Sequence, residues 1–206
     1  MDRQETSQSI DEVILKSIRA TKSAFTFSAK DFSKLGSPAA IRKSLERLSK
    51  RNLIRRVRRG YYDRPRPHPL LGQTVPDPMD LVRGMMKDSS AHWQASGAYA
   101  ANLLHLTEQV PSKIVILTDG VPRKVRLENL TIEFRRAAPR YLLGGGKPAG
   151  LVFQALRYLG SSGITPQVVA RLRRQLTAQD KANLNSIALS TPAWMRPILR
   201  EITKPL

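Results

Sequence analysis

The chain has 206 residues, 41% of them hydrophobic, and carries a formal net charge of +19 from 35 Lys and Arg against 16 Asp and Glu. It is long enough for one large or two small cores. Having no cysteine, it can form no disulfide, thiol nucleophile or Cys-ligated zinc site. No apolar run approaches the ~18 residues that span a bilayer, and the N-terminal stretch is polar and acidic, without the apolar segment of a signal peptide. The expectation is a cytosolic protein with a polyanionic partner. Residues 1–67 hold 17 Lys and Arg against 7 Asp and Glu, and the other 139 hold 18 against 9, so the charge is densest in the first third.

In chain order, Ser9 and Glu12 have capping-box spacing and start a helix predicted over Ser9–Thr21, with Ile10, Val13, Ile14 and Ile18 on one face. Ala24–Phe27 reads as a short strand. Ser28 with Asp31 repeats the capping-box spacing, and Leu35-Gly36 ends that helix. Ser37 then caps a helix predicted over Pro38–Arg51, with Pro38 in the first turn, where its missing N–H costs nothing. Ile41, Leu45 and Leu48 share its inner face with the core. Ala39, Lys43, Glu46, Arg47 and Lys50 lie opposite, with Arg42 on a flank.

Leu53–Tyr62 reads as a ribbon turning at Arg59-Gly60. Helix, turn, helix and ribbon in that order are the parts of a winged helix. A basic helix with small residues at its tip suits the major groove, and arginines on a ribbon suit phosphate and minor-groove contact. A solvated charged face is the other account of the helix alone. The candidate DNA-binding residues are Ser37, Ala39, Arg42, Lys43, Arg47, Lys50, Arg55, Arg56, Arg58, Arg59 and Tyr61.

Prolines at 65, 67 and 69 break regular structure, which places a winged-helix domain over 1–64, a linker over 65–76 and a second domain over 77–206. The predicted class is α+β, the second domain holding a small antiparallel sheet flanked by helices. Asp77 caps a helix from Pro78 to Lys87, and His92–Leu104 reads as another, rich in alanine. Lys113–Thr118 is a β-branched strand, Asp119-Gly120 a hairpin signal, and Arg123–Leu127 and Leu130–Phe134 two further strands. Helices follow from Pro148, from Thr165-Pro166, from Thr177 with Asp180, and from Thr191-Pro192 to about Ile202.

Chemistry is sparse. His68, His92 and His105 show no metal-ligand spacing, so no metal or cofactor is expected. Gly144-Gly145-Gly146-Lys147 fails as a phosphate loop because Tyr141 and Pro148 stand where glycine and Ser or Thr are needed. The carboxylates are too few and scattered for an acid–base pair, so no enzyme activity is expected. Arg123, Lys124, Arg126, Arg135, Arg136 and Arg140 cluster near the predicted strands. They are either a second basic face for a partner or nucleic acid, or a solvated sheet surface.

The block Ser96-Gly97-Ala98-Tyr99-Ala100-Ala101-Asn102-Leu103-Leu104 through Gln109-Val110-Pro111, after a basic helix-and-ribbon unit and a proline-broken stretch, resembles the AbiEi-type antitoxin family of type IV toxin–antitoxin systems. It departs from that family's pattern after Leu104, where this chain has His105 in place of the family's glycine. The resemblance implies an operator-binding autorepressor on double-stranded DNA, opposing a nucleotidyltransferase-like toxin that it need not touch, with the antitoxin activity in the second domain. Without the resemblance, an RNA-binding accessory protein and a ligand-responsive regulator also fit the residues.

Overall fold

The structure is a computed structural model and describes residues 9–21, 26–65, 67–68, 72–87, 89–109, 111–127 and 129–205. It is a mixed α+β chain that divides into two compact units, residues 1–89 and 90–206.

The first unit begins with α1 (Ile10–Ala20), closed by the Ser9/Glu12 capping box. A 3-10 helix (Ala29–Leu35) follows, with its own capping box between Ser28 and Asp31. It is tighter and more irregular than the helix expected there, and Phe32 sits in it at non-helical angles because its ring turns into the core. Gly36 then takes φ 155°, a value few L side chains reach, which frees the chain to start α2 (Pro38–Lys50) at once. A two-stranded antiparallel ribbon of β1 (Arg55–Arg58) and β2 (Tyr61–Asp63) comes next.

Ile14, Ile18, Phe27, Phe32, Ile41, Leu45, Leu48, Ile54 and Tyr62 form one buried cluster between these elements. Phe27 meets Phe32 edge-on with ring centroids 5.7 Å apart, and its backbone exchanges two 2.8 Å hydrogen bonds with Tyr62. The predicted strand over Ala24–Phe27 thus pairs with the ribbon at Phe27, while Ala24 and Phe25 lie outside the described residues. Truncating Leu45 or Leu48 to Ala would cost about 2–5 kcal/mol, the usual range for a fully buried leucine.

After β2 the chain makes a second short hairpin, β3 (Pro67–His68) with β4 (Gly72–Gln73), where a linker was expected. Arg66 and Pro69 lie outside the described residues. The helix α3 (Pro78–Met86), capped by Asp77, then packs within the first unit rather than opening the second. Gly84 explains the fit, since a Cβ there would come within 2.9 Å of the Thr26 carbonyl oxygen. Lys87 pairs with Asp31, and Thr74 accepts from Arg55 at 2.7 Å. The expected boundary in the 65–76 stretch therefore falls inside the first unit, and the division lies between Ser89 and Ser90.

The second unit opens with a strand, β5 (Trp93–Ala95), where one continuous helix was expected. Gly97 at φ 58° separates it from the helix α4 (Gly97–Leu103). The sheet runs in the order β5, β6 (Lys113–Thr118), β8 (Leu130–Arg136), β7 (Arg123–Leu127). It is mixed rather than antiparallel, because β6 and β8 pair in parallel. The hairpin joins β7 to β8, and Asp119-Gly120 makes no hairpin between β6 and β7. Asp119 instead accepts the His92 N–H at 2.8 Å and stays ionised to lower pH than usual through its bond to the His92 ring.

The helices α5 (Pro148–Leu159), α6 (Pro166–Gln175), α7 (Ala178–Ile187) and α8 (Met195–Thr203) complete the unit. Thr165 caps α6 and Thr177 caps α7, as their sequence signals indicate. Thr191 does not start α8; its hydroxyl donates back to Ala188. A helical core joins Ala100, Ala101 and Leu104 to Val152, Phe153, Leu156, Leu172, Leu184, Leu199 and Ile202. His105 takes φ 55°, the left-handed conformation that glycine adopts without strain.

Candidate nucleic-acid interface

The geometry of α2 follows from its caps and its stripe. The Ser37 hydroxyl accepts from Ala40 N–H at 3.2 Å, so it caps the helix, and its own O–H is not used by that bond. Ile41, Ser44, Leu45 and Leu48 are buried, and Ala39, Arg42, Lys43, Glu46, Arg47 and Lys50 are exposed. Ser44 and Arg47 both donate to Asp11 of α1, Arg47 through Nη2 at 2.7 Å. That bond holds the Asp11 carboxyl below the usual carboxylate range. The Ser44–Arg47 flank of α2 is therefore turned toward α1. Arg42 lies roughly 140° around the helix from Arg47, at 100° per residue, on the other flank.

The ribbon sorts its cations in the same way. Tyr62 is buried, and Arg56 is its cross-strand partner. Arg55 faces Asp63, and an irregular step at Val57 brings Arg58 opposite Tyr61. Strand alternation would have set Arg56 and Arg58 on one face; the extra residue turns Arg58 to the other. That second face is occupied within the unit. Arg55 donates to Asp63 at 2.9 and 2.5 Å and to the Thr74 carbonyl. The Arg58 guanidinium lies 3.9 Å from the Met85 sulfur of α3. Tyr61 is half-buried beside Gly84 and Met85. Arg59 sits exposed at the turn, where Gly60 takes φ 83°.

Eleven expected interface residues thus separate into two groups. Arg42, Lys43, Lys50, Arg56 and Arg59 are exposed and join no ion pair or hydrogen bond among the described residues; Ala39, in the first turn of α2, is also exposed and adds only a methyl group. Arg47, Arg55, Arg58 and Ser37 are engaged inside the unit, and Tyr61 is half-buried. Periodicity cannot reveal Asp11, which lies 36 residues from Arg47. The Arg55–Asp63 pair was equally hidden, because a two-residue turn at Arg59-Gly60 alone would set Arg55 opposite Arg64, and only the irregular step at Val57 brings it to Asp63.

The second cluster is not one surface. Register places Lys124, Arg126 and Arg135 on one face of the sheet with Lys113, and Arg123 and Arg136 on the other. Glu133 lies between Lys113 and Arg135, which it accepts at 3.1 Å from Arg135 Nε, and these bonds lower its pKa to about 2. Arg123 rests 4.4 Å above the Phe134 ring. Arg140, on the following 3-10 turn, lies 4.9 Å from the centre of the Tyr141 ring, which Arg157 also approaches at 4.3 Å.

Among the described residues no cluster of three or more His, Cys, Asp or Glu could hold a metal ion, and no helix is long and apolar enough to cross a membrane. What the outer side of α2 and the ribbon turn can do chemically is neutralise closely spaced negative charge.

The fold and this surface define a two-unit α+β protein with a helix face whose exposed cations form no ion pair among the described residues. The model of a family of unknown function, DUF6088, matches residues 13–184, and the chain belongs to that family. No curated protein matches it. Among solved structures it is similar to the crystal structure of the RV2827C protein from Mycobacterium tuberculosis, at 14% identity over 96% of this chain and 78% of that one, with a TM-score of 0.40.

Proposed function

We propose that this chain is a winged-helix regulator that binds double-stranded DNA, the operator of its own operon, and serves as the antitoxin of a type IV toxin–antitoxin pair. One observation carries the DNA-binding half: the exposed cations Arg42, Lys43, Lys50, Arg56 and Arg59 form no ion pair among the described residues, while their neighbours Arg47 and Arg55 are paired with Asp11 and Asp63. In this reading α2 enters the major groove, with Arg42, Lys43 and Lys50 toward the bases and flanking phosphates, and Arg56 and Arg59 follow the backbone from the ribbon. The protein acts by binding, with no catalytic step of its own.

The antitoxin half is supported by the resemblance of the Ser96–Pro111 block, and its functional partner would be a nucleotidyltransferase-like toxin. Competition between the duplex upstream of the gene, a scrambled duplex and a structured RNA of equal length tests the first half. Preference for the upstream duplex is expected; stronger binding to RNA would overturn it. Restored growth on co-expression with a growth-arresting neighbouring frame tests the second half, and continued arrest would count against it.

A further inference from the structure

Glu46 is out of keeping with its surroundings. It is the sole carboxylate in α2, exposed on the face that also carries Lys43 and Lys50. Arg42 precedes it by four residues, Lys43 by three, and Lys50 follows it by four, all within reach on a helix surface. Glu followed by Lys at that last spacing is the favourable order for an ion pair. Yet Glu46 takes part in no hydrogen bond or ion pair among the described residues. The chain uses carboxylates differently nearby: Asp11 and Asp63 each hold an arginine.

A surface that only had to neutralise phosphates would gain nothing from an unpaired carboxylate, which repels them. A carboxylate can only accept hydrogen bonds. In the major groove the donors offered by bases are the exocyclic amines, N4 of cytosine and N6 of adenine, while guanine and thymine present acceptors at the corresponding edge. Arg42, one turn before Glu46, is a donor group suited to guanine O6 and N7. We infer that Glu46 is a specificity-determining residue that accepts a hydrogen bond from a cytosine N4 amine and rejects guanine and thymine at that base. The inference rests on the reading of α2 as the groove-facing helix and adds to it a particular base at a particular residue.

Selection by the full-length chain from a duplex pool with a randomised centre tests it, comparing wild type with Glu46→Gln, Glu46→Ala and Arg42→Ala. Wild type should favour cytosine at one position by at least about fivefold. Glu46→Ala should flatten that position alone, and Glu46→Gln should move the preference toward adenine, whose N6 and N7 suit an amide. Because the Glu46 side chain is exposed and unbonded, both variants should melt with the wild type.

Two results overturn the inference alone: an unchanged preference in Glu46→Ala while Arg42→Ala loses one, or a wild-type preference for guanine or thymine at the position that Glu46→Ala flattens. A wild type that enriches no sequence removes the groove-facing reading and the inference with it.

Discussion

The outer side of α2 with its ribbon turn, and the open face of the four-stranded sheet, are both rich in cations but differ in how those cations are held. On the sheet a carboxylate sits among them: Glu133 bonds Lys113 and Arg135, and Arg123 on the reverse side lies against an aromatic ring. On α2 Asp11 holds only the Arg47 flank, and Arg42, Lys43 and Lys50 are exposed and form no ion pair among the described residues, even with Glu46 on the same face. Cations in the sequence therefore differ in whether the fold supplies them a partner. A cation already bonded to a carboxylate must give up that partner before it can neutralise a phosphate, so the α2 region is the stronger candidate for a polyanion.

The comparison can be broken most forcefully at the base-reading positions. Arg42→Ala should cost about 1–3 kcal/mol against the preferred duplex and much less against a random one, measured as the ratio of the two affinities. Equal losses on both would make Arg42 a phosphate contact only. Asp63→Ala comes next. Releasing Arg55 from its two hydrogen bonds should lower stability by about 1.5–3 kcal/mol in a denaturant titration, the usual loss for bonds to charged groups. A neutral outcome would mean that the ribbon pair is idle and Arg55 is open to a ligand.

Smaller effects sharpen the contrast. Arg56→Ala or Arg59→Ala should each reduce the slope of log K against log salt by about 0.9, one phosphate's share. Lys124→Ala on the sheet should leave that slope unchanged, and an equal fall would make the two faces one footprint.

The last is a pH effect at Glu133. Its pKa is depressed from the ordinary 4.5 to about 2, first by Arg135 and then by Lys113. A depressed pKa in the folded state means that the group stabilises the fold fully above the ordinary value and loses that contribution as pH falls toward 2. Melting temperatures of wild type and Glu133→Gln should therefore differ at pH 7 and converge between pH 4.5 and 2. A constant gap would assign the difference to packing.

What could be read from the residues was local. The capping boxes at Ser9, Ser28 and Thr177 and the Ile41–Leu45–Leu48 stripe depend on neighbours within a turn or two, and each lies where its spacing indicates. β5 was hidden because Trp93-Gln94-Ala95 is short and runs into an alanine-rich helix whose start only the backbone of Gly97 marks. The parallel pairing of β6 with β8 was hidden because strand order depends on distant contacts, and the Asp-Gly signal suggested a hairpin one strand too early. At the candidate site, exposure followed from periodicity. Partners did not: Asp11 comes from another helix, and Met85 and Thr74 lie beyond the ribbon.

The most direct measurement is the salt dependence of duplex binding by the full-length chain beside a variant with Arg42, Lys43, Lys50, Arg56 and Arg59 all changed to Ala. If the four besides the base-reading Arg42 neutralise the phosphate backbone, the slope of log K against log salt should become shallower by about 3–4. A slope that the five substitutions leave unchanged, in a variant that still folds, would contradict the assignment of this surface to DNA.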